Sequence, residues 1–197
     1  MKKQNYLLIA LAISLQSCNR LSNSEKVVYN EDFNWTITIP KNFENVGSKE
    51  WGKMKIKGAD AIEKTFGEEI DINQANTIFV FKSDQLNFFE SNYQTFDPDI
   101  DGDYVESCIN LNDMLYETFK AQIPGVKIDT TRTIENIDSL EFQTFKLKIE
   151  YPNKMVMNLL TFSRLFDKKE LTVGIMYIDE AKGKQMLDSW MKSKFKK

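Results

Sequence analysis

Residues 144–153, with the sequence TFKLKIEYPN, alternate apolar and polar side chains with a period of two. This period is typical of a β-strand with one buried face, and Pro152-Asn153 then supplies a turn. Two more stretches rich in β-forming residues follow at 155–166 and 171–178, with a short polar link at 167–169 between them. Because such short links join neighbouring strands that run in opposite directions, the three stretches predict an antiparallel meander.

The sequence before the meander contains further strand patterns. Residues 34–39 alternate strictly between apolar and polar side chains and stop at a proline, which indicates a half-buried strand. Residues 77–81 form a short, continuous apolar run, which is typical of a central strand covered on both faces. Residues 86–96 are expected to pair with that run, and residues 127–136 predict a weaker strand.

Three segments show the helical spacing of apolar residues. Residues 47–67 predict a helix, with an interruption near Gly58 left open, and residues 104–122 predict a second one. A closing helix is expected from Glu180, with Gly183 weakening its first turn. Strands that are apolar on both faces need cover on both sides. The sequence therefore predicts an α+β fold, an α/β/α sandwich with a mostly antiparallel sheet flanked by helices.

The amino-terminal residues have the pattern of a secretion signal. A short basic start at residues 1–5 is followed by an almost wholly apolar run at 6–15 and by Leu15-Gln16-Ser17-Cys18. This pattern resembles a bacterial lipoprotein signal with its lipobox, which implies that Cys18 is lipidated and begins the mature chain. The run is shorter than the roughly 20 residues that a membrane-spanning helix needs. An anchor helix with an incidental cysteine is the alternative.

The predicted organisation follows from this signal. Residues 1–17 are expected to be the signal peptide, residues 18–26 a polar tether, and residues 27–197 a single domain. The partner implied for Cys18 is the membrane, through its lipid. No aspartate follows Cys18 directly, which by resemblance to other lipoproteins favours the bacterial cell envelope at the outer membrane, facing the periplasm.

Composition excludes several classes of function. The formal net charge is -3, and removal of Lys2 and Lys3 with the signal leaves -3 - 2 = -5. An acidic domain without a basic patch is a poor partner for nucleic acid, so none is expected. The sequence contains no histidine, which removes the usual general base and the commonest ligand of zinc. We therefore predict that the protein is not an enzyme.

Four residues that could take part in chemistry or ligand binding are expected to be structural instead. If Cys18 carries lipid, Cys108 has no cysteine left for a disulfide, and its place on the apolar side of a predicted helix favours a buried thiol. The three tryptophans, Trp35, Trp51 and Trp190, could line a ligand platform. Each lies on an apolar stripe, however, which favours a place in the core.

One acidic loop could bind a metal ion. It resembles the first half of a calcium-binding loop, with Gly102 at the position of the sharp turn. The twelfth position is Cys108 instead of a bidentate glutamate. The alternative is that Asp103 and Glu106 cap the following helix as a capping-box-like pair. The tentative calcium ligands are Asp97, Asp99, Asp101, Asp103 and Glu106.

The two ends of the predicted domain carry a family resemblance. The segment from Phe33 to Phe43, FNWTITIPKNF, resembles the opening of PsbP-like and DcrB-like α/β/α sandwich domains, although Phe43 stands where that family often has tryptophan. The strand LTVGIMY at 171–177 and the ending WMKSKF at 190–195 also fit. The resemblance implies a non-enzymatic module that binds or supports a protein partner in the envelope, with no cofactor. A lipoprotein that binds calcium or a small ligand through residues 97–106 is the alternative.

Overall fold

A seven-stranded antiparallel sheet forms the centre of the computed structural model, which describes residues 24–67 and 75–196. The predicted signal peptide and Cys18 lie outside these residues. In chain order the elements are β1 (Lys26–Asn30), β2 (Trp35–Ile39), β3 (Glu44–Asn45), α1 (Ser48–Phe66), β4 (Asn76–Asp84), β5 (Asn87–Thr95), α2 (Pro98–Asp101), α3 (Tyr104–Gln122), β6 (Lys127–Ile137), β7 (Leu140–Glu150), β8 (Val156–Phe166), β9 (Lys169–Tyr177), α4 (Glu180–Met191) and β10 (Lys194–Phe195).

The strand order in the large sheet is β3-β4-β5-β9-β8-β7-β6. The predicted meander is confirmed, because β7 pairs with β8 and β8 pairs with β9, both antiparallel. Strand β5 pairs with β9 and so connects the hairpin of β4 and β5 to the meander. This pairing joins residues about 80 positions apart in the chain, which periodicity alone could not reveal.

One face of the sheet, which we call the α4 face, is covered by α4 and by a small second sheet of order β1-β2-β10. Trp35 of β2 and Trp190 of α4 are fully buried there, with ring centroids 5.6 Å apart. Large apolar side chains fill the space beneath them. They include Phe81, Phe89, Phe142, Phe162 and Val173.

The opposite face, which we call the α1/α3 face, is covered by α1 and α3, which contact each other. Leu115 and Phe119 of α3 pack on Leu147 and neighbouring apolar residues of β7. Trp51 of α1 meets Phe88 of β5 edge to face, with ring centroids 5.8 Å apart. With cover on both faces, the predicted α/β/α sandwich is confirmed.

Several details differ from the sequence-based expectations. Helix α1 continues through Gly58 without interruption, because a single glycine in a helix interior costs only about 1 kcal/mol relative to alanine. Strands β1, β3 and β10 and the single turn α2 were not predicted, because β3, β10 and α2 are too short to show a period and the five residues of β1, KVVYN, do not alternate clearly. Strand β1 begins at Lys26, the last residue of the predicted tether. Among the helices of the described residues, none is long and apolar enough to cross a membrane.

Candidate functional site

A groove of about 540 Å³ lies between α1 and the face of the sheet, over β5, β9 and the turn between β4 and β5. Its volume falls in the range of small-molecule sites, about 300 to 1,000 Å³. One wall is α1, and the floor is the α1/α3 face of the sheet. The residues that line it are Glu50, Trp51, Lys53, Met54, Lys55, Lys57, Gly58, Gln85, Leu86, Phe88, Glu90 and Met176.

Glu90 lies at the floor of this groove, and Gly174 makes room for it. The two residues face each other across the β5–β9 pair. A Cβ atom at position 174 would lie 2.8 Å from Oε1 of Glu90 and 2.9 Å from its Cγ, closer than real contacts allow. A glycine weakens the interior of a strand, and it often marks a close approach of another group. Here that group is the Glu90 carboxylate.

The surroundings of Glu90 favour its neutral form. Burial raises the pKa of Glu90 from its ordinary value of 4.5 to about 7, against the opposing effects of the Lys55 ammonium and a hydrogen bond from the Asn92 side chain. Near neutral pH the side chain is therefore present in both protonation states. It can donate a hydrogen bond when protonated and can pair with a cation when ionised.

The groove combines apolar walls with a basic rim. Trp51 and Phe88 form an aromatic pair beside the floor, and Met54 and Met176 add flexible apolar surface. The α1 side of the groove carries three lysines. They are Lys53, Lys55 and Lys57.

The acid at the groove entrance, Glu50, already has a partner. Its carboxylate accepts a hydrogen bond from the Lys82 ammonium, which also lies 3.8 Å from Glu44. Glu50 is therefore engaged with β4, whereas Glu90 faces the groove.

A second acidic residue is buried on the same face, under α3. Only 6% of Glu170 is exposed. Its carboxylate accepts hydrogen bonds from Ser163 Oγ at 2.6 Å and from Gln94 Nε2 at 2.7 Å, and the Tyr104 hydroxyl lies 2.8 Å from Ser163 Oγ. Burial raises the pKa of Tyr104 and of the Cys108 thiol beside it, so both stay neutral at neutral pH.

This second cluster is part of the packing. The cavity next to it measures about 20 Å³, enough for roughly one water molecule. A serine that donates a hydrogen bond to a carboxylate, as Ser163 does to Glu170, can act as a nucleophile in enzymes. Both residues are buried under α3, however, so a substrate cannot reach them. We therefore assign the Glu170 cluster to the support of α3 on the sheet.

The acidic loop at 97–106 serves as two helix caps. The Asp97 carboxylate accepts a hydrogen bond from the Asp99 backbone N–H at 3.2 Å, and the Asp101 carboxylate accepts one from the Asp97 backbone N–H at 2.7 Å. Asp103 caps α3 by accepting from the Glu106 N–H at 2.8 Å, as the capping alternative predicts.

Asp97 also forms an ion pair with Lys168 at 2.6 Å, and this bond lowers the pKa of the Asp97 carboxyl. Across residues 24–67 and 75–196, no group of three or more acidic or cysteine side chains is placed to hold a metal ion. Calcium binding by the loop stays a prediction that only a titration can test.

The predicted structural residues have the expected places. Trp35, Trp51 and Trp190 are buried, as is the free thiol of Cys108. The residues that the sequence analysis missed are those of the groove. The signal for them was present in LTVGIMY, where Gly174 interrupts an otherwise apolar strand and so indicates a close approach by another group.

Comparison with known proteins supports the fold. Among solved structures, the chain is similar to the solution structure of cyanobacterial PsbP (CyanoP) from Synechocystis sp. PCC 6803, with a TM-score of 0.56 and 10% sequence identity. The similarity covers 92% of this chain and 99% of CyanoP. No family model and no curated protein matches the sequence. The predicted PsbP-like body is confirmed as a fold, and at this identity the similarity extends to the fold alone.

Proposed function

We propose that this protein is a non-enzymatic binding protein of the bacterial cell envelope, held at the membrane by a lipid on Cys18. The observation that carries the binding role is the groove beside α1, where an apolar cleft of about 540 Å³ contains the Glu90 carboxylate at its floor. A deep carboxylate in an apolar cleft is a common element of ligand recognition. The absence of histidine from the whole sequence argues against acid–base catalysis at the same place.

The occupant of the groove is a small molecule or a short segment of a protein partner. The resemblance of the sequence to PsbP-like domains favours a partner in a larger assembly. The size of the groove favours a compact ligand, or a few side chains of a partner.

The binding role can be tested with a photoreactive amino acid at position 86. Leu86 lines the groove and is 39% exposed, so its replacement should preserve the fold. Irradiation of cells should give an adduct, which mass spectrometry would assign to a small molecule or to a protein. Gln185, which lines a different groove beside α4, is the matched control position. Equal labelling from positions 86 and 185 would refute the binding role of the groove.

The anchor needs a separate test, because Cys18 lies outside the described residues. In cells, the Cys18→Ala variant should lose incorporation of a labelled fatty acid and move from the outer-membrane fraction to the soluble fraction. A Cys108→Ala variant is the control, since this buried thiol should play no part in lipidation. Retention of the Cys18→Ala variant in the membrane would contradict the anchor.

A further inference from the structure

We infer that the groove binds a small zwitterion with an apolar body, of the class of hydrophobic amino acids and their dipeptides. The inference rests on the proposed binding role and specifies its ligand. Its basis is a separation of charge within one cleft, with a carboxylate at the floor and lysines along the wall. A zwitterion can meet both of these regions at once, whereas a ligand with a single charge can meet only one of them.

The floor of the groove suits an ammonium group. Gly174 leaves the space in which the Glu90 carboxylate lies, so that a group entering the groove meets this carboxylate against the sheet. An ammonium group would make a charge-assisted hydrogen bond to it. The rings of Trp51 and Phe88 line the same cleft, and aromatic faces attract an ammonium group.

The α1 wall suits a carboxylate. Lys53 and Lys57 are four residues apart on the helix and therefore lie on one side of it, one turn after another. Lys55 is close enough to Glu90 for its charge to offset part of the rise that burial causes in the pKa of that carboxyl. A ligand carboxylate next to Lys53 and Lys57 would lie on the helix side of the groove, with Glu90 on the sheet side, so each end of a zwitterion would meet the opposite charge.

The remaining surface suits an apolar side chain. Leu86, Met54 and Met176 line the groove together with the Trp51–Phe88 pair. Methionine side chains adapt their shape to different ligands, so the groove should accept leucine-like as well as aromatic side chains.

The first test compares whole ligands with their halves. Calorimetric titration of the full-length protein in detergent would use L-phenylalanine and L-leucyl-L-phenylalanine as zwitterions. Phenethylamine lacks the carboxylate of phenylalanine, and 3-phenylpropionate lacks its amine. We expect at least one zwitterion to bind at least tenfold more tightly than either half. A half that binds as tightly as the zwitterions, or a lack of binding by both zwitterions, would overturn the inference.

The second test assigns the two charges to residues. The Glu90→Gln substitution keeps the size of the side chain and should weaken zwitterion binding at least tenfold, without changing the affinity for 3-phenylpropionate. The Lys53→Gln, Lys57→Gln double variant should weaken zwitterion binding without weakening that of phenethylamine. Glu25→Gln, in the groove beside α4, is the control and should change neither affinity. Equal effects of Glu90→Gln and Glu25→Gln on the zwitterion would contradict the assignment.

The two proposals fail in different ways. Adducts from position 86 together with no zwitterion binding would refute the ligand class and leave the binding role in place. Equal labelling from positions 86 and 185 would refute both, because the ligand class depends on the groove being a binding site.

Discussion

The two faces of the large sheet are covered by different elements and lined by side chains of different chemistry. The α4 face is packed with aromatic rings, and Trp190 lies within 5.6 Å of Trp35, Phe142 and Phe162, measured between ring centroids. The α1/α3 face holds Glu90 and, under α3, Glu170 with its hydrogen-bonding partners. The α4 face is mainly apolar and contains no buried acid among the described residues, whereas the other face carries acids below both of its helices.

The difference indicates where stability and function are located. A buried polar group costs free energy unless hydrogen bonds compensate it, so an apolar face stabilises a fold more simply. On the α1/α3 face, Glu170 has two donors at short distances, whereas Glu90 faces an open groove. We conclude that the α4 face contributes most to stability, and the proposed binding role belongs to the groove end of the α1/α3 face.

The largest expected effect is on the α4 face. The Trp190→Ala substitution removes the side chain at the centre of the aromatic cluster and should lower the free energy of unfolding by about 3 to 5 kcal/mol. Denaturant unfolding followed by circular dichroism would measure it. Met191→Ala is the control. Met191 follows Trp190 in the chain but its side chain is 45% exposed, so the substitution should cost less than about 1 kcal/mol. Equal losses from the two variants would contradict the central place of Trp190.

The packing of α4 against β9 should also resist a single added methyl group. A Cβ atom at Gly183 would lie 2.4 Å from the ring of Tyr177, so Gly183→Ala should destabilise the protein by about 1 to 3 kcal/mol. The same change at Gly52 in α1 meets no atom within 4 Å and should stabilise the helix by about 0.5 to 1 kcal/mol. Thermal unfolding of the two variants should therefore give shifts of opposite sign. A stabilising Gly183→Ala would refute the close packing of Tyr177.

On the α1/α3 face, the expected effect depends on pH. The pKa of Glu90 is about 7 in the folded protein and near 4.5 in the unfolded chain, so the folded protein binds more protons between these values. The free energy of unfolding should therefore fall as pH rises from about 4.5 to 7, by about 1 to 3 kcal/mol in all.

The Glu90→Gln variant separates this effect from that of other groups. Its side chain stays neutral, so the part of the pH dependence that comes from Glu90 should disappear. Urea unfolding of both proteins at pH 5 and at pH 8 would measure the difference. An identical pH dependence in the two proteins would show that Glu90 titrates normally, and the comparison between the faces would lose its main point.

Much of this fold could be predicted from the sequence, because its longer elements have clear periods. The alternation at 144–151 predicted β7, and the helical spacing at 104–122 predicted the bounds of α3. Strands β1 and β10 have no such signal. Strand β1 pairs with the adjacent β2 as a hairpin, whereas the place of β10 depends on pairing between distant residues, such as Phe195 with Trp35. Pairing of this kind is a property of the tertiary structure.

The candidate site was harder to predict. The acidic loop predicted a calcium site because its aspartates occupy alternate positions in the sequence, whereas the structure shows Asp97 and Asp103 as helix caps. Glu90 is a single acid within a strand, and its importance depends on Gly174, 84 positions later in the chain. Gly183 was expected only to weaken α4, whereas it accommodates Tyr177. In both cases a glycine in a regular element marked a tertiary contact, and the partner could not be read from the local pattern.

The smallest expected effect concerns the second acid of the α1/α3 face. Tyr104→Phe removes the hydroxyl next to Ser163 but leaves the bond from Ser163 to Glu170, so it should cost only about 0.5 to 1.5 kcal/mol. Ser163→Ala removes a donor from a buried carboxylate and should cost more, about 1 to 3 kcal/mol. Denaturant unfolding at pH 7 would rank the two variants. If Tyr104→Phe proved the more damaging, the carboxylate would not be the centre of this cluster, and the contrast between Glu170, enclosed under α3, and Glu90, open to the groove, would have to be abandoned.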